Sequence, residues 1–191
     1  MTATPFPDAT ATWNKRFEGE AYIFGLAPNE YLRDKASLLA PRSRVLCVAD
    51  GEGRNSVWLA RQGMRVDAFD ISAVGVDKAR RLAVDAKVEV DYSVADCDEW
   101  PWPDATYDAV AAIFVQFADP PMRDRLFASI VRTLKPGGLI LWYDFWLNPT
   151  NPQTRGIRPT EIRQLFPGCQ YIFRKITLAP DPPSTARRSI K

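Results

Sequence analysis

Residues 44–62 read RVLCVADGEGRNSVWLARQ, and this stretch decides the fold. The apolar run over 44–49 predicts a buried strand. Two glycines in the turn at 50–53 allow the backbone to reverse sharply. Residues 55–62 carry apolar groups at helical spacing, so a helix is predicted there, with Gly63 at its end. A strand, a glycine turn and a helix in direct succession are typical of an α/β protein.

The rest of the chain continues this alternation. Further strands are predicted over 65–70, 88–93, 107–114, 139–145 and 169–178. Helices are predicted over 29–39, 73–86, 121–134 and 160–165. A turn is expected at 135–138, a polar loop over 147–157, and flexible ends over 1–12 and 180–191. The order predicts one α/β domain over 1–191, with a doubly wound, Rossmann-like sheet of about six or seven mostly parallel strands and helices on both faces.

The composition narrows the class of protein. A chain of 191 residues with 46% hydrophobic and 25% charged residues suits one soluble globular domain. A net charge of +2 gives no electrostatic reason to bind nucleic acid or a membrane surface, and no apolar run is long enough to cross a bilayer. The three cysteines lie far apart, in a spacing that fits neither a zinc site nor a redox pair. We therefore expect reduced thiols, a cytoplasmic protein, no bound metal, and neither nucleic acid nor a membrane as a partner.

The chain contains no histidine. This excludes catalysis by Ser-His-Asp or Cys-His groups, and also metal sites built on imidazole. The chemistry must therefore come from other side chains or from a cofactor.

In a doubly wound sheet, a ligand lies beyond the carboxyl ends of the strands. Asp70 ends the second strand, where such folds bind a pair of ribose hydroxyls, although it or Ser72 could instead cap the next helix. Asp96 follows the third strand and could accept a hydrogen bond from an adenine amino group, or could be a solvated loop acid. Phe114 and Gln116 follow the fourth strand and could form an apolar cofactor wall with one hydrogen-bonding group, or pack in the core.

Together these motifs resemble those of class I methyltransferases that depend on S-adenosylmethionine (SAM). The resemblance covers about residues 13–145 and is carried by residues 48–56, Asp70, the pair at 95–96, residues 114–118 and residues 134–138. It looks closest to the small branch that contains tellurite-resistance and thiopurine methyltransferase-like proteins. Residues 13–28 resemble the N-terminal arm with which that branch covers its cofactor.

The resemblance implies SAM as the cofactor and assigns contacts to it. Gly51 and Gly53 would face the methionine part, and Asp70 would hold the ribose hydroxyls. The residues at 95–97 would surround the adenine, and those at 114 and 116 would line the side of the methyl donor. The full set of expected cofactor-binding residues is Tyr22, Asp50, Gly51, Gly53, Asn55, Asp70, Ile71, Ser72, Ala95, Asp96, Cys97, Phe114 and Gln116.

Two departures from the family pattern stand out. Cys47 occupies the position near the end of the first strand where the family usually has an acid, so Asp50 or a water is expected to meet the SAM ammonium group. Only about a dozen residues follow residue 178, without a strand pattern, so the family's seventh strand is expected to be absent. An exposed sheet edge would then be available for a homodimer.

The expected function is methyl transfer to a small molecule, with a soft nucleophile such as a thiol or a selenium or tellurium oxyanion as a candidate acceptor. Such an acceptor needs no general base, so no catalytic residue is assigned; for a hydroxyl or amine, Tyr143 and Asp144 are the candidate bases. One alternative is a non-catalytic SAM-binding or partner protein. Another is an NAD(P)-dependent oxidoreductase, against which Ser56 counts because it stands where that fingerprint needs a third glycine.

Overall fold

The computed structural model describes residues 8–115, 117–118, 120–143 and 170–173. The helices are α1 (Ala9–Phe17), α2 (Glu30–Lys35), α3 (Arg54–Arg61), α4 (Ala73–Asp85) and α5 (Pro120–Thr133). The strands are β1 (Arg44–Val48), β2 (Arg65–Asp70), β3 (Asp91–Val94), β4 (Tyr107–Ile113), β5 (Leu134–Tyr143) and β6 (Gln170–Phe173). A short 3-10 turn over Ala36–Leu38 follows α2, so the helix predicted over 29–39 is split in two.

The described strands form one parallel sheet in the order β3-β2-β1-β4-β5-β6. The strand order reverses between β1 and β4, which makes their carboxyl ends the topological switch point of the sheet. The predicted α/β class and doubly wound parallel arrangement are confirmed. Residues 174–191, on which the expected loss of a seventh strand depends, lie outside the described residues, as do the predicted loop over 147–157 and helix over 160–165.

Helices cover both faces of the sheet because side chains alternate along each strand. In β1, Val45 and Cys47 pack with α2 and α3 on one face. Leu46 and Val48 pack on the other face with α5 and the loop that contains Trp102. The glycine turn after β1 therefore lies at the carboxyl edge of the sheet, next to the hydrophobic cores on its two faces. Among the described residues, no helix has the length and apolar character needed to span a bilayer.

Helix α1 begins earlier than predicted. Residues 9–12 were expected to be loose, but they form its first turn, and Asp8 caps them by accepting a 2.9 Å hydrogen bond from the Ala11 amide. The cap supplies a partner for an amide that has none within the helix. The arm is thus a formed helix as far as Phe17.

Strand β3 begins later than predicted, at Asp91 instead of Val88. The reason lies in how α4 ends. Lys87 adopts a left-handed φ of 56°, its amide donates to the Val84 carbonyl, and the Val88 amide donates to the Ala83 carbonyl. This pair of hydrogen bonds is the Schellman pattern. It holds residue 88 in the helix terminus and removes it from the strand.

The expected turn at 135–138 belongs to β5. Leu134 pairs with Tyr107 and Leu139 with Ala109, so residues 135–138 form an irregularity within the strand. Gly137 has a φ of 80°, and a side chain at Gly138 would lie 2.9 Å from the Lys135 carbonyl oxygen. The local bend was predicted correctly, but the ladder resumes on both sides of it.

Candidate functional site

The loops that follow β1, β2 and β3 meet at Asp70, the last residue of β2. Its Oδ2 accepts a 2.9 Å hydrogen bond from the Gly51 amide, and its Oδ1 accepts one of 2.9 Å from the Ser72 amide. Its carbonyl oxygen accepts a third from the Ala95 amide at 3.0 Å. Burial raises the pKa of the Asp70 carboxyl, although both amides act to lower it. Several of the predicted residues thus surround one buried carboxylate at the switch point.

The glycine turn is left-handed at three positions. The φ angles of Ala49, Gly51 and Gly53 are 51°, 61° and 89°. A side chain at Gly53 would lie 2.6 Å from the Ala79 Cβ in α4 and 2.9 Å from the Tyr92 hydroxyl. Gly53 is therefore required for the close packing of α4 against the turn. From the sequence, only a contact with the ligand was expected of this residue.

Gly51 faces the N-terminal arm. A side chain there would lie 3.2 Å from the ring of Phe17, and one at Gly75 would lie 3.0 Å from the same ring. Phe17 is 1% exposed, and Trp13 stacks on it with ring centroids 5.4 Å apart. The arm predicted over 13–28 thus places an aromatic ring directly against the glycine turn.

Ser72 caps α4, which was the alternative reading of this position. Its Oγ accepts a 3.0 Å hydrogen bond from the Gly75 amide and donates to Asn14 Oδ1 at 2.7 Å. The side chain is fully buried, so its hydroxyl links α4 to the arm. Ile71, between Asp70 and Ser72, is half-buried.

Asp50 brings a carboxyl group to the glycine turn. Its Oδ2 is buried and has no hydrogen-bond partner in the described part of the chain. Burial, and then the neighbouring charge of Asp70, raises the pKa of Asp50 to about 7, while hydrogen bonds from Ser56 lower it. A buried acceptor without a donor favours a bound N–H group or cation, since such a group is costly to leave unpaired.

Cys47, at the position where the family pattern has an acid, is 2% exposed in the core beneath α2 and α3. Burial raises the pKa of its thiol well above the usual range, and the Asp50 charge raises it further. The thiol therefore stays neutral and cannot replace the missing carboxylate.

Two further predicted residues bind the N-terminal segment. Asn55 Oδ1 accepts a 2.9 Å hydrogen bond from the Asn29 amide, which fixes the start of α2. The Tyr22 hydroxyl donates to the Lys78 carbonyl oxygen at 3.1 Å. These bonds tie both side chains to the protein's own main chain.

An ion pair at the site was not predicted from the sequence. Glu52 lies in the glycine turn and Lys78 in α4, and Lys78 Nζ is 2.5 Å from Glu52 Oε1. The side chains of Lys78 and Glu52 are only 1% and 3% exposed, respectively. A lysine on an amphipathic helix normally lies in solvent. The available signal is that Lys78 follows the buried Gly75 by three residues, which places it on the same face of α4.

The loops after β3 and β4 are the remaining loops at the carboxyl edge of the sheet. Asp96 Oδ1 accepts a 2.7 Å hydrogen bond from the Asp98 amide, and the Cys97 carbonyl oxygen accepts one from Trp102 Nε1 at 2.8 Å. Phe114 has a left-handed φ of 64° and an edge-to-face contact with Tyr143 at 5.3 Å. Gln116 and the candidate base Asp144 lie outside the described residues.

Residues 45–138 match the family described as Methyltransferase domain. Phosphoethanolamine N-methyltransferase 3 of Arabidopsis thaliana is 29% identical over 72% of this chain and 28% of its own length. Demethylmenaquinone methyltransferase of Clavibacter sepedonicus is 35% identical over 59% of this chain and 45% of its own. The chain thus spans about a quarter to under half of the length of these curated relatives, neither of which is named for tellurite resistance or thiopurines.

The crystal structure of a SAM-dependent methyltransferase from Geobacter sulfurreducens in complex with S-adenosylhomocysteine has the same fold. It is 22% identical, covers 68% of this chain and 53% of its own, and superposes with a TM-score of 0.55. The family match spans β1 to the glycine pair of β5, which includes every loop that meets at Asp70. Residues 45–138 thus match a methyltransferase domain, and the described sheet has the fold of this solved methyltransferase.

Proposed function

We propose that this protein transfers the methyl group of SAM to a small-molecule acceptor, with the cofactor bound at the edge formed by the loops after β1, β2, β3 and β4. The observation that carries the proposal is the convergence of the Gly51, Ser72 and Ala95 amides on Asp70 at the switch point. Ligands of doubly wound sheets bind at this point.

The side chains at this edge fit the parts of SAM. Each carboxylate oxygen of Asp70 accepts one amide, which leaves acceptor capacity for the ribose hydroxyls. The unpartnered Oδ2 of Asp50 suits the ammonium group. The half-buried Asp96 suits the adenine amino group, with Ala95 and Cys97 beside it. Phe114, together with Gln116, would line the side of the methyl group.

The protein's part in the reaction is binding, alignment and exclusion of water. SAM, when bound, supplies a methyl group that its sulfonium centre already activates. Asp50 and Asp70 orient the cofactor, and Phe17 with Trp13 covers the turn that holds it. Alignment in a dry pocket supplies most of what such a transfer requires. Tyr143, stacked on Tyr31 at 5.1 Å, is the candidate base within the described residues should the acceptor need one.

The class of acceptor is the finer part of the proposal. The absence of histidine favours a soft nucleophile, such as a thiol or a selenium or tellurium oxyanion, because these attack without a strong base. The names of the relatives point instead to an amine, in phosphoethanolamine, and to a quinone ring. The two classes of acceptor differ in whether the methyl transfer needs a general base.

Two measurements test the proposal together. Isothermal titration should show binding of S-adenosylhomocysteine and none of NADH. Transfer of a labelled methyl group from SAM should then be assayed on a thiol, selenite, tellurite, phosphoethanolamine and a quinol. We expect label in one of the soft acceptors. Binding of NADH alone would favour the oxidoreductase, and binding of S-adenosylhomocysteine without any transfer would favour the non-catalytic alternative.

A further inference from the structure

Lys78 is a buried cation that bonds to Glu52 and to one stretch of main chain. Besides its contact with Glu52, its Nζ donates to the carbonyl oxygens of Ala21 at 2.6 Å, Gly19 at 3.1 Å and Phe17 at 3.3 Å. A buried ammonium group is tolerated only when it is paired and hydrogen-bonded, so these partners define its place. The lysine thus binds three carbonyls at and just after the end of α1.

Glu52 binds the same stretch from the other side. Its Oε1 contacts Lys78, and its Oε2 accepts a 2.9 Å hydrogen bond from the Ile23 amide. The ring of Tyr22 lies 5.0 Å from the ammonium nitrogen, and its hydroxyl bonds to the main chain of α4. Both members of the ion pair therefore hold residues 17–23.

This stretch has no regular structure of its own after Phe17. Residues 18–23 form neither helix nor strand, and Gly19 has a left-handed φ of 96°. Irregular backbone keeps one conformation only where outside groups supply its hydrogen bonds. Here the outside groups are the side chains of Glu52 and Lys78.

The position of this stretch decides where the Phe17 ring lies. The ring packs against Gly51, next to Glu52 in the glycine turn. Glu52 thus belongs to the glycine turn and is also one member of the ion pair that holds residues 17–23.

We propose that Glu52 and Lys78 are positioning residues, which fasten residues 17–23 over the glycine turn and thereby set how slowly the cofactor leaves. The inference rests on the proposed function, because it takes SAM to be the ligand of that turn. Neither residue needs to touch the cofactor. Their effect runs through Phe17 and the main chain that they hold.

The test variant is the double substitution Glu52→Gln with Lys78→Met. It removes both charges together, since removing one leaves the other without its ion-pair partner in the interior and lowers stability for a reason unrelated to the arm, although Lys78 would keep its three carbonyl acceptors. The matched control is Arg80→Met, on the same helix, which breaks an exposed ion pair with Asp77. Thermal unfolding should remain cooperative in both. If the double variant does not fold, Glu52→Gln alone replaces it, since glutamine keeps the shape and an oxygen for the Ile23 amide.

Two readouts separate fastening from mere stability. Trypsin cleavage after Lys15 and Arg16 is measured by fragment mass without any ligand. It should be at least about tenfold faster in the variant, because losing even one charge-assisted hydrogen bond has about that effect. Dissociation of S-adenosylhomocysteine in a stopped-flow displacement should be faster by about the same factor. Arg80→Met should match the wild type in both.

Wild-type rates of cleavage and dissociation in a folded variant would overturn the inference. Faster cleavage with unchanged dissociation would also overturn it, because the arm would then be held without controlling the cofactor. Failure of the wild type to bind S-adenosylhomocysteine would instead refute the proposed function, and the cleavage rates alone would still report whether the ion pair holds the arm.

Discussion

At the scale of single residues, Gly53 shows how a glycine can serve packing more than ligand contact. A side chain there would overlap Ala79 of α4, and its φ is 89°. We predict that Gly53→Ala lowers the free energy of unfolding by at least about 3 kcal/mol, because overpacking adds to left-handed strain. Urea unfolding at constant pH measures the change.

Gly63 provides the matched control. Its φ of 84° is equally left-handed, but a side chain there would meet nothing within 4 Å. Gly63→Ala should therefore cost only the backbone strain, about 1 kcal/mol. Equal losses at the two positions would show that α4 does not pack against the turn as the structure has it.

Which residues could be predicted depended on whether their role follows from position along a strand or from contacts across the molecule. The placement of Asp70 at the switch point and the cap at Ser72 were predicted, because strand ends and helix starts have local signals. Glu52 and Lys78 were not, because their burial arises from the fold of residues 17–23 onto α4. The sequence around either residue is typical of a solvated charge.

At the scale of elements, the end of α4 contains a strained residue in a helix-terminating motif. Lys87 has a φ of 56° at the position where glycine is favoured. We predict that Lys87→Gly raises the free energy of unfolding by about 0.5 kcal/mol, since relief of left-handed strain exceeds the entropy that glycine loses on folding. Lys87→Ala removes the charge but keeps the strain, so its stability should not rise in the same urea titration. A gain in the alanine variant as large as that in the glycine variant would assign the effect to charge.

The same element explains why strand boundaries were predicted less well than strand positions. Residues 88–90 carry the valines of a strand, yet the Schellman hydrogen bonds retain Val88 at the helix end. Likewise, the proline and glycines at 135–138 bend the chain, but β4 pairs with β5 on both sides of the bend. Apolar patterns locate an element, whereas the partner's hydrogen bonds decide where it begins.

At the scale of the whole molecule, the alternation of strands and helices was sufficient to predict the doubly wound sheet. Right-handed crossovers leave few ways to arrange consecutive parallel strands, so strand order follows from topology. The arm is different, because nothing in its local pattern states that Phe17 would reach Gly51, some thirty residues later in the chain. That contact is fixed by tertiary hydrogen bonds from α4.

If Asp50 binds the SAM ammonium group as proposed, the ionisation of its carboxyl has opposite effects on stability and on cofactor binding. Burial raises the pKa of its carboxyl from 3.8 to about 7 in the folded chain. The folded state therefore holds a proton that the unfolded state releases, so the contribution of this group to stability is present at acid pH and is lost as pH rises through 7. Between pH 6 and 8 the loss amounts to roughly 1 kcal/mol. In the proposed binding mode, the ionised form that weakens the fold is the form that would attract the SAM ammonium group.

Asp50→Asn should therefore move the two properties in opposite directions. The asparagine variant should lose less stability between pH 6 and 8 in thermal unfolding, because it has no proton to release. Its affinity for S-adenosylhomocysteine at pH 8 should fall about tenfold or more, as expected for a lost charge-assisted hydrogen bond. Wild-type affinity should weaken below pH 7 as Asp50 becomes protonated, whereas the variant's affinity should stay level. A variant that gains stability while binding as tightly as the wild type would show that Asp50 carries a structural cost unrelated to the cofactor, and the ammonium group would then need another partner.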